Sequence, residues 1–129
     1  MRKMKKRFSN SWKSSKKPRK QRKYRANAPL HIRGRFLNVN LSKDLRKKYG
    51  KRSIRVRKGD KVRIMRGSFK KKEGGIERVD TKKSRVYISK IESEKKEGSK
   101  ALIPIQPSNL MILELNLDDK KRKEKLERK

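Results

Sequence analysis

The first acidic residue of this 129-residue chain is Asp44. Ahead of it, residues 1–25 carry 13 Lys or Arg and no carboxylate. Like charges at that density raise the energy of any compact state, so this segment is expected to order against a partner. Over the whole chain 45 basic residues face 13 acidic ones, a net charge of +32. A polyanion removes the repulsion and releases its own condensed counterions on binding. The arm also carries Trp12 and other scattered aromatics, a mixture suited to neutralising a phosphate backbone with occasional stacking on unpaired bases. Arg2, Lys3, Lys5, Lys6, Arg7, Trp12, Lys13, Lys16, Lys17, Arg19, Lys20, Arg22, Lys23 and Arg25 are the contacts expected from it. The alternative is a solvated tail, with Trp12 packed on a neighbouring protein.

Hydrophobic residues make up 29% of the chain, too few for a core running from end to end. They concentrate between Ile54 and Leu117, where a small globular core is feasible. Without Cys there are no disulfides or thiolate metal sites, and a lone His31 builds no imidazole cluster. No apolar run reaches the roughly 20 residues of a membrane span, and the basic N-terminus lacks the apolar stretch of a secretory signal. A soluble intracellular protein is expected, with no membrane insertion, cofactor or small-molecule substrate.

A short helical turn is expected at 28–33 with Pro29 at its first position. A second helix is expected at 42–49, with Ser42 as N-cap, Asp44 in the first turn, Arg46 to Lys48 at the negative end and Gly50 closing it. From Ile54 the apolar period becomes alternating: Val56, Val62 and Ile64 against Arg55, Arg57 and Arg63, with a turn at Lys58-Gly59-Asp60. Ile76 and Val79 predict a second strand bulged near Glu77 or Arg78. Val86 and Ile88 predict a third after an Asp80-to-Lys83 turn. Residues 92–100 read as a polar loop, and 102–105 and 110–115 as two more strands around a Pro104–Asn109 corner. Five short strands at this spacing predict a small closed barrel. The tail beyond Leu117 has helical composition with acid-first pairs Asp119/Lys123 and Glu124/Arg128. Leu126 is its lone apolar residue, so it reads as a solvated or RNA-docked helix.

The informative stretch is 57–80, a strand, a basic loop and a strand. Gly67 permits a sharp exit, Gly74-Gly75 permits positive φ on re-entry, and Ser68-Phe69-Lys70-Lys71-Lys72 presents a hydroxyl, an aromatic and three lysines. Gly59-Asp60, Val62-Arg63-Ile64, Gly67, Phe69, Gly74-Gly75-Ile76 and Val79-Asp80 resemble a KOW motif, the RNA-binding element of several ribosomal proteins and some transcription elongation factors. One position departs: Lys71 stands where a mid-loop Gly is common, which adds charge. The flanks Ala28-Pro29-Leu30-His31, Leu41 through Ser53, Val56 through Asp60, and Ile103 through Leu110 with its Pro-Ser-Asn are similar to the archaeal and eukaryotic ribosomal protein L-twenty-four family. Its eukaryotic counterpart is L-twenty-six.

That resemblance implies a mainly β fold: an SH3-like barrel (the KOW domain) at 54–115. A basic N-terminal arm at 1–27, a short helical segment at 28–53 and a charged C-terminal helix at 116–129 surround it. It implies a ribosomal-RNA-binding constituent of the large subunit, at the 5′ region near the polypeptide exit, with a role in assembly. The implied partners are large-subunit ribosomal RNA, neighbouring ribosomal proteins and exit-site factors, in the cytoplasm. Further expected RNA contacts are His31, Arg33, Arg35, Arg57, Lys58, Arg63, Arg66, Ser68, Phe69, Lys70, Lys71, Lys72, Lys82 and Arg85. His31 could instead serve a turn hydrogen bond, Phe69 could fold over the barrel end, and Asp60 and Asp80 read as turn-shaping.

No catalytic set is legible: the acids sit in turns, loops or helices rather than in apolar sequence, and no Walker-type loop appears. The rivals are a KOW-domain transcription factor, which usually carries a second, less basic domain, and a DNA-compacting protein, which would not need the Pro-Ser-Asn block. A peripheral membrane binder would need its cations opposed to an oily helix face, which is lacking.

Overall fold

The computed structural model describes Phe8 and residues 15–128. The chain runs α1 (Pro18–Asn27), α2 (Leu30–Arg33), β1 (Asn38–Leu41), α3 (Lys43–Tyr49), β2 (Ser53–Arg55), β3 (Lys61–Ile64), β4 (Glu73–Asp80), β5 (Arg85–Glu94), β6 (Lys100–Ile105), β7 (Leu110–Glu114) and α4 (Lys120–Glu127). The strands form one sheet in the order β2-β1-β7-β3-β4-β5-β6, parallel at β1/β7 and antiparallel elsewhere. This small, mainly β body with helices at both ends is consistent with the barrel expected from the sequence.

Seven strands replace the five expected, for identifiable reasons. Asn38-Val39-Asn40-Leu41 alternates exposed and buried over only four residues, too short a signal beside the adjoining helices. The Ile54-to-Ile64 alternation is two strands, not one strand with a turn: β2 pairs with β1, whereas β3 pairs with β4 and β7. The 92–100 segment is not wholly a loop either. Glu92, Ser93 and Glu94 pair with Leu102, Ala101 and Lys100, because a hairpin ladder in water tolerates polar side chains on both faces. The expected bulge is present, since Ile76 pairs with Ile88 and Arg78 with Tyr87.

α3 is capped as its sequence predicts. The Leu45 amide donates to Ser42 Oγ, and Gly50 closes the helix at φ 66°. Pro29 falls one position earlier than expected, at the N-cap of α2 rather than inside it. α1 lies within the stretch read as a basic arm; Pro18 starts it and no residue of it is buried.

The core gathers Val62 and Ile64 from β3, Ile76 from β4, Val86, Ile88 and Ile91 from β5, and Leu110 and Ile112 from β7. Leu37, Val39 and Leu41 join it from upstream of the expected core. So does Leu126, at 1% exposure, which corrects the reading of the tail as solvated. A second anchor accompanies Leu126. Asp60 is fully buried, and Arg122 Nη1 and Nη2 donate to its Oδ1 and Oδ2, each at 2.6 Å. Arg122 also donates to the Asn116 and Arg55 carbonyls, while Asp60 accepts from the Arg57 and Asn116 amides. A bidentate pair whose Nη groups and carboxylate oxygens each have a second partner is the arrangement under which buried charge is tolerated. Asp60 therefore shapes its turn, as expected, and also anchors α4.

Candidate nucleic-acid interface

α1 presents Arg19, Lys20, Arg22, Lys23 and Arg25 to solvent, with Lys16 and Lys17 just ahead of it. Aromatic contacts hold this cationic helix. Tyr24 lies 5.1 Å from Phe8 and 6.0 Å from Phe36, centroid to centroid, and the Arg25 guanidinium sits 5.0 Å from the Phe36 centroid. Arg33 stitches the region together. Its Nε donates to the Ala28 carbonyl at 2.8 Å, and its two Nη atoms donate to the Lys82 and Ala26 carbonyls at 2.6 Å. The ends of α1 and α2 and the β4–β5 turn are thereby fixed side by side. Asp80 Oδ1 shapes that turn by accepting from the Lys83 amide.

The product is a cleft of about 320 Å³ lined by Arg22, Arg25, Arg33, Lys82, Lys83 and Arg85, with no carboxylate in its lining. Arg85 also borders a second cleft, of about 330 Å³, against the basic loop. Arg66, Ser68 and Phe69 form one side of it, and Gln106 and Asn109 from the β6–β7 corner the other. This lining, too, is free of acids. One surface thus joins the helix cations to the loop through Arg85.

The loop is rigidly attached. Lys71 and Met65 amides donate to the Ile64 and Asn109 carbonyls, and Ile64 donates back to Lys72. The left-handed residue on the path back to β4 is Lys71, at φ 73°, not Gly74 or Gly75. Gly74 is needed for space instead, since a Cβ there would sit 2.8 Å from Ile88 Cγ2. Gly67 does take positive φ, 97°, at the exit from β3. Phe69 packs half-buried against the core with the Lys72 ammonium 5.0 Å from its centroid, while Arg66, Ser68, Lys70 and Lys71 are exposed.

Two expected contacts are held by acids. Arg57 pairs with Asp119 at 2.6 Å, so Asp119 Oδ2 reaches across to the barrel while its Oδ1 accepts from the Lys121 amide and caps α4. Arg63 donates through Nε to Glu73 at 2.9 Å, and that hydrogen bond holds the Glu73 carboxyl below its ordinary range. His31, Arg35 and Lys58 are exposed. Arg2, Lys3, Lys5, Lys6, Arg7, Trp12 and Lys13 lie outside the described residues. Among the described residues no group of three metal-ligating side chains gathers, and no helix is long and apolar enough to cross a membrane.

A family profile for the ribosomal proteins called L26 in eukaryotes and L24 in archaea matches residues 15–129. The chain belongs to this family. The large ribosomal subunit protein uL24 of Methanosphaera stadtmanae is 50% identical over 115 residues, covering 89% of this chain and 98% of that protein. The uL24 of Methanospirillum hungatei JF-1 is 47% identical over 112 residues, covering 87% and 93% respectively. The family match extends beyond the 28–115 blocks that carry the resemblance, taking in α1 and α4.

Of the polar lining residues, sequence reasoning missed Lys83, Ser84, Gln106 and Asn109. Lys83 had a signal, as the neighbour of Lys82 in a recognised turn. Gln106 and Asn109 had none apart from the family's Pro-Ser-Asn corner, because only the fold of β6 onto β7 faces them toward the loop.

Proposed function

We propose that the chain is a structural constituent of the large ribosomal subunit that holds ribosomal RNA across the two joined, acid-free clefts. The observation that carries this reading is the convergence of Arg22, Arg25, Arg33, Lys82 and Lys83 on Arg85, and of Arg85 on the loop residues Arg66 and Ser68. Cations from four separate segments, unbalanced by carboxylates, need phosphates between them to be a low-energy arrangement. The membership of a ribosomal protein family supports the same reading and accords with a structural rather than catalytic role. Arg33 positions the cleft, since its donors serve three carbonyls, while Arg22, Lys82, Arg66, Ser68, Lys70 and Lys71 are placed to meet RNA. The 5′ region of the large-subunit RNA, close to the polypeptide exit, is the site we assign, with action early in assembly and neighbouring proteins or exit-site factors as further partners.

The test is co-sedimentation of the chain with large subunits through high salt, alongside binding to a folded 5′-region fragment and to random duplex DNA. Retention and preference for the RNA fragment are expected. Equal affinity for the duplex DNA at moderate salt would favour the compaction reading.

A further inference from the structure

A groove of about 660 Å³ lies between α4 and the sheet, away from the loop. Its floor is apolar: Ile54 and Val56 are buried, and Val79 is half-buried. α4 supplies one wall. Arg122 and Leu126 point inward as the anchors, and the preceding positions on each turn, Lys121 and Lys125, line the groove. On the sheet side Lys58 and Arg78 line it, together with Arg57, which Asp119 neutralises. Glu77 is the other carboxylate of the lining, set against Lys58, Arg78, Lys121 and Lys125.

Arg78 gives the groove its chemical character. Its guanidinium lies over the Tyr87 ring, 4.2 Å from the centroid, and the residue remains exposed. A guanidinium plane held on an aromatic ring is a platform on which a nucleobase stacks. An apolar floor offers nothing to a phosphate but desolvates a base, whereas ammonium groups at the rim suit the phosphates either side of it. The volume lies in the range of pockets for small, largely enclosed ligands.

We propose that this groove takes one unstacked nucleotide of the bound RNA. Its base lies on Arg78 over Val56 and Val79, and its flanking phosphates meet Lys58, Lys121 and Lys125. The inference rests on the RNA-binding reading above and adds a site separate from both clefts. A regular duplex keeps its bases stacked and cannot fill the groove, so the site discriminates unpaired from paired RNA. The α4 wall exists because Asp60 and Leu126 hold the helix down, which links the buried ion pair to recognition.

The experiment uses the full chain with a single-stranded 12-mer carrying 4-thiouridine, and the same strand annealed to its complement. Crosslinks are mapped by peptide mass. With the single strand, crosslinks are expected in the β4–β5 segment around Arg78 and in α4, and annealing should lower their yield about tenfold. Arg78→Lys, which keeps the charge but loses the plane, should lower them comparably while crosslinks at the 66–72 loop persist. Crosslinks confined to the loop and α1, or a groove signal unchanged in Arg78→Lys, would overturn the inference and leave the clefts standing. Binding of an acidic peptide that Arg78→Lys weakens, with RNA crosslinks unaffected, would assign the groove to a protein partner and overturn it as well. Failure of the chain to bind either RNA would instead remove the proposed function.

Discussion

Single residues here carry consequences that their neighbours do not. Lys71 holds a left-handed backbone conformation that costs an L-residue about 1 kcal/mol. Lys71→Gly is therefore expected to raise unfolding stability by about that amount in urea titration while weakening RNA binding through the lost charge. Asp60 and Arg122 are unequal partners in their buried pair. Removing Asp60 strands a buried guanidinium, so Asp60→Ala should cost about 3–5 kcal/mol. Arg122→Ala should cost less, because Asp60 keeps two amide donors, whereas Asp60→Ala also leaves the Arg57 and Asn116 amides without their acceptor. Equal losses in urea would show that the amides contribute little. Glu73 behaves differently, being at the surface. Its carboxyl is held low by Arg63, so its contribution is present above the ordinary carboxylate range and fades as pH falls through the folded value. The stability gap between the native chain and Glu73→Gln is expected to close on acidification below about pH 4.

At the scale of elements, α4 is the decisive piece. Its anchors are Leu126 in the core and Arg122 on Asp60, and through Arg122 it also satisfies the Arg55 carbonyl on β2, an end strand of the sheet. A strand at the end of a sheet exposes unpaired backbone groups, and α4 covers part of this one. Leu126→Ala should cost about 2–5 kcal/mol. Hydrogen exchange should speed first in β2 and α4, with β4 and β5 still protected; uniform loss of protection would mean that α4 is not a separable unit. The elements most legible in the sequence were those whose signal is local. Ser42 and Gly50 bracket α3 with recognisable caps, and the odd spacing of Ile76 and Val79 gave the bulge. β1, the separation of β2 from β3 and the extension of β5 were not legible, because short or polar strands are defined by their partners' hydrogen bonds rather than by their own pattern.

For the whole molecule the controlling quantity is the +32 charge. If roughly 6–10 phosphates are neutralised, RNA affinity should fall about 10³- to 10⁵-fold between 50 and 200 mM salt, measured by filter binding. Replacing Lys70, Lys71 and Lys72 together with Ala should reduce the log–log salt slope by up to about 3 with the circular dichroism spectrum unchanged. A slope near zero in the native chain would remove the electrostatic account.

The sequence by itself determined the partner class, since an acid-free arm and a large cationic excess leave a polyanion as the compatible ligand. Its ordered motif blocks determined the family and the barrel. What only the tertiary structure decided is which cations are available. Arg33, Arg57 and Arg63 look like Arg66 or Lys70 in sequence, yet three carbonyls, Asp119 and Glu73 engage them. Tail residues 120–127 look solvated in sequence, yet one leucine and one arginine seat them on the barrel. The reason is that charge is a property of composition, whereas the pairing of charges depends on which residues, often some sixty positions apart, the fold brings within about 3 Å.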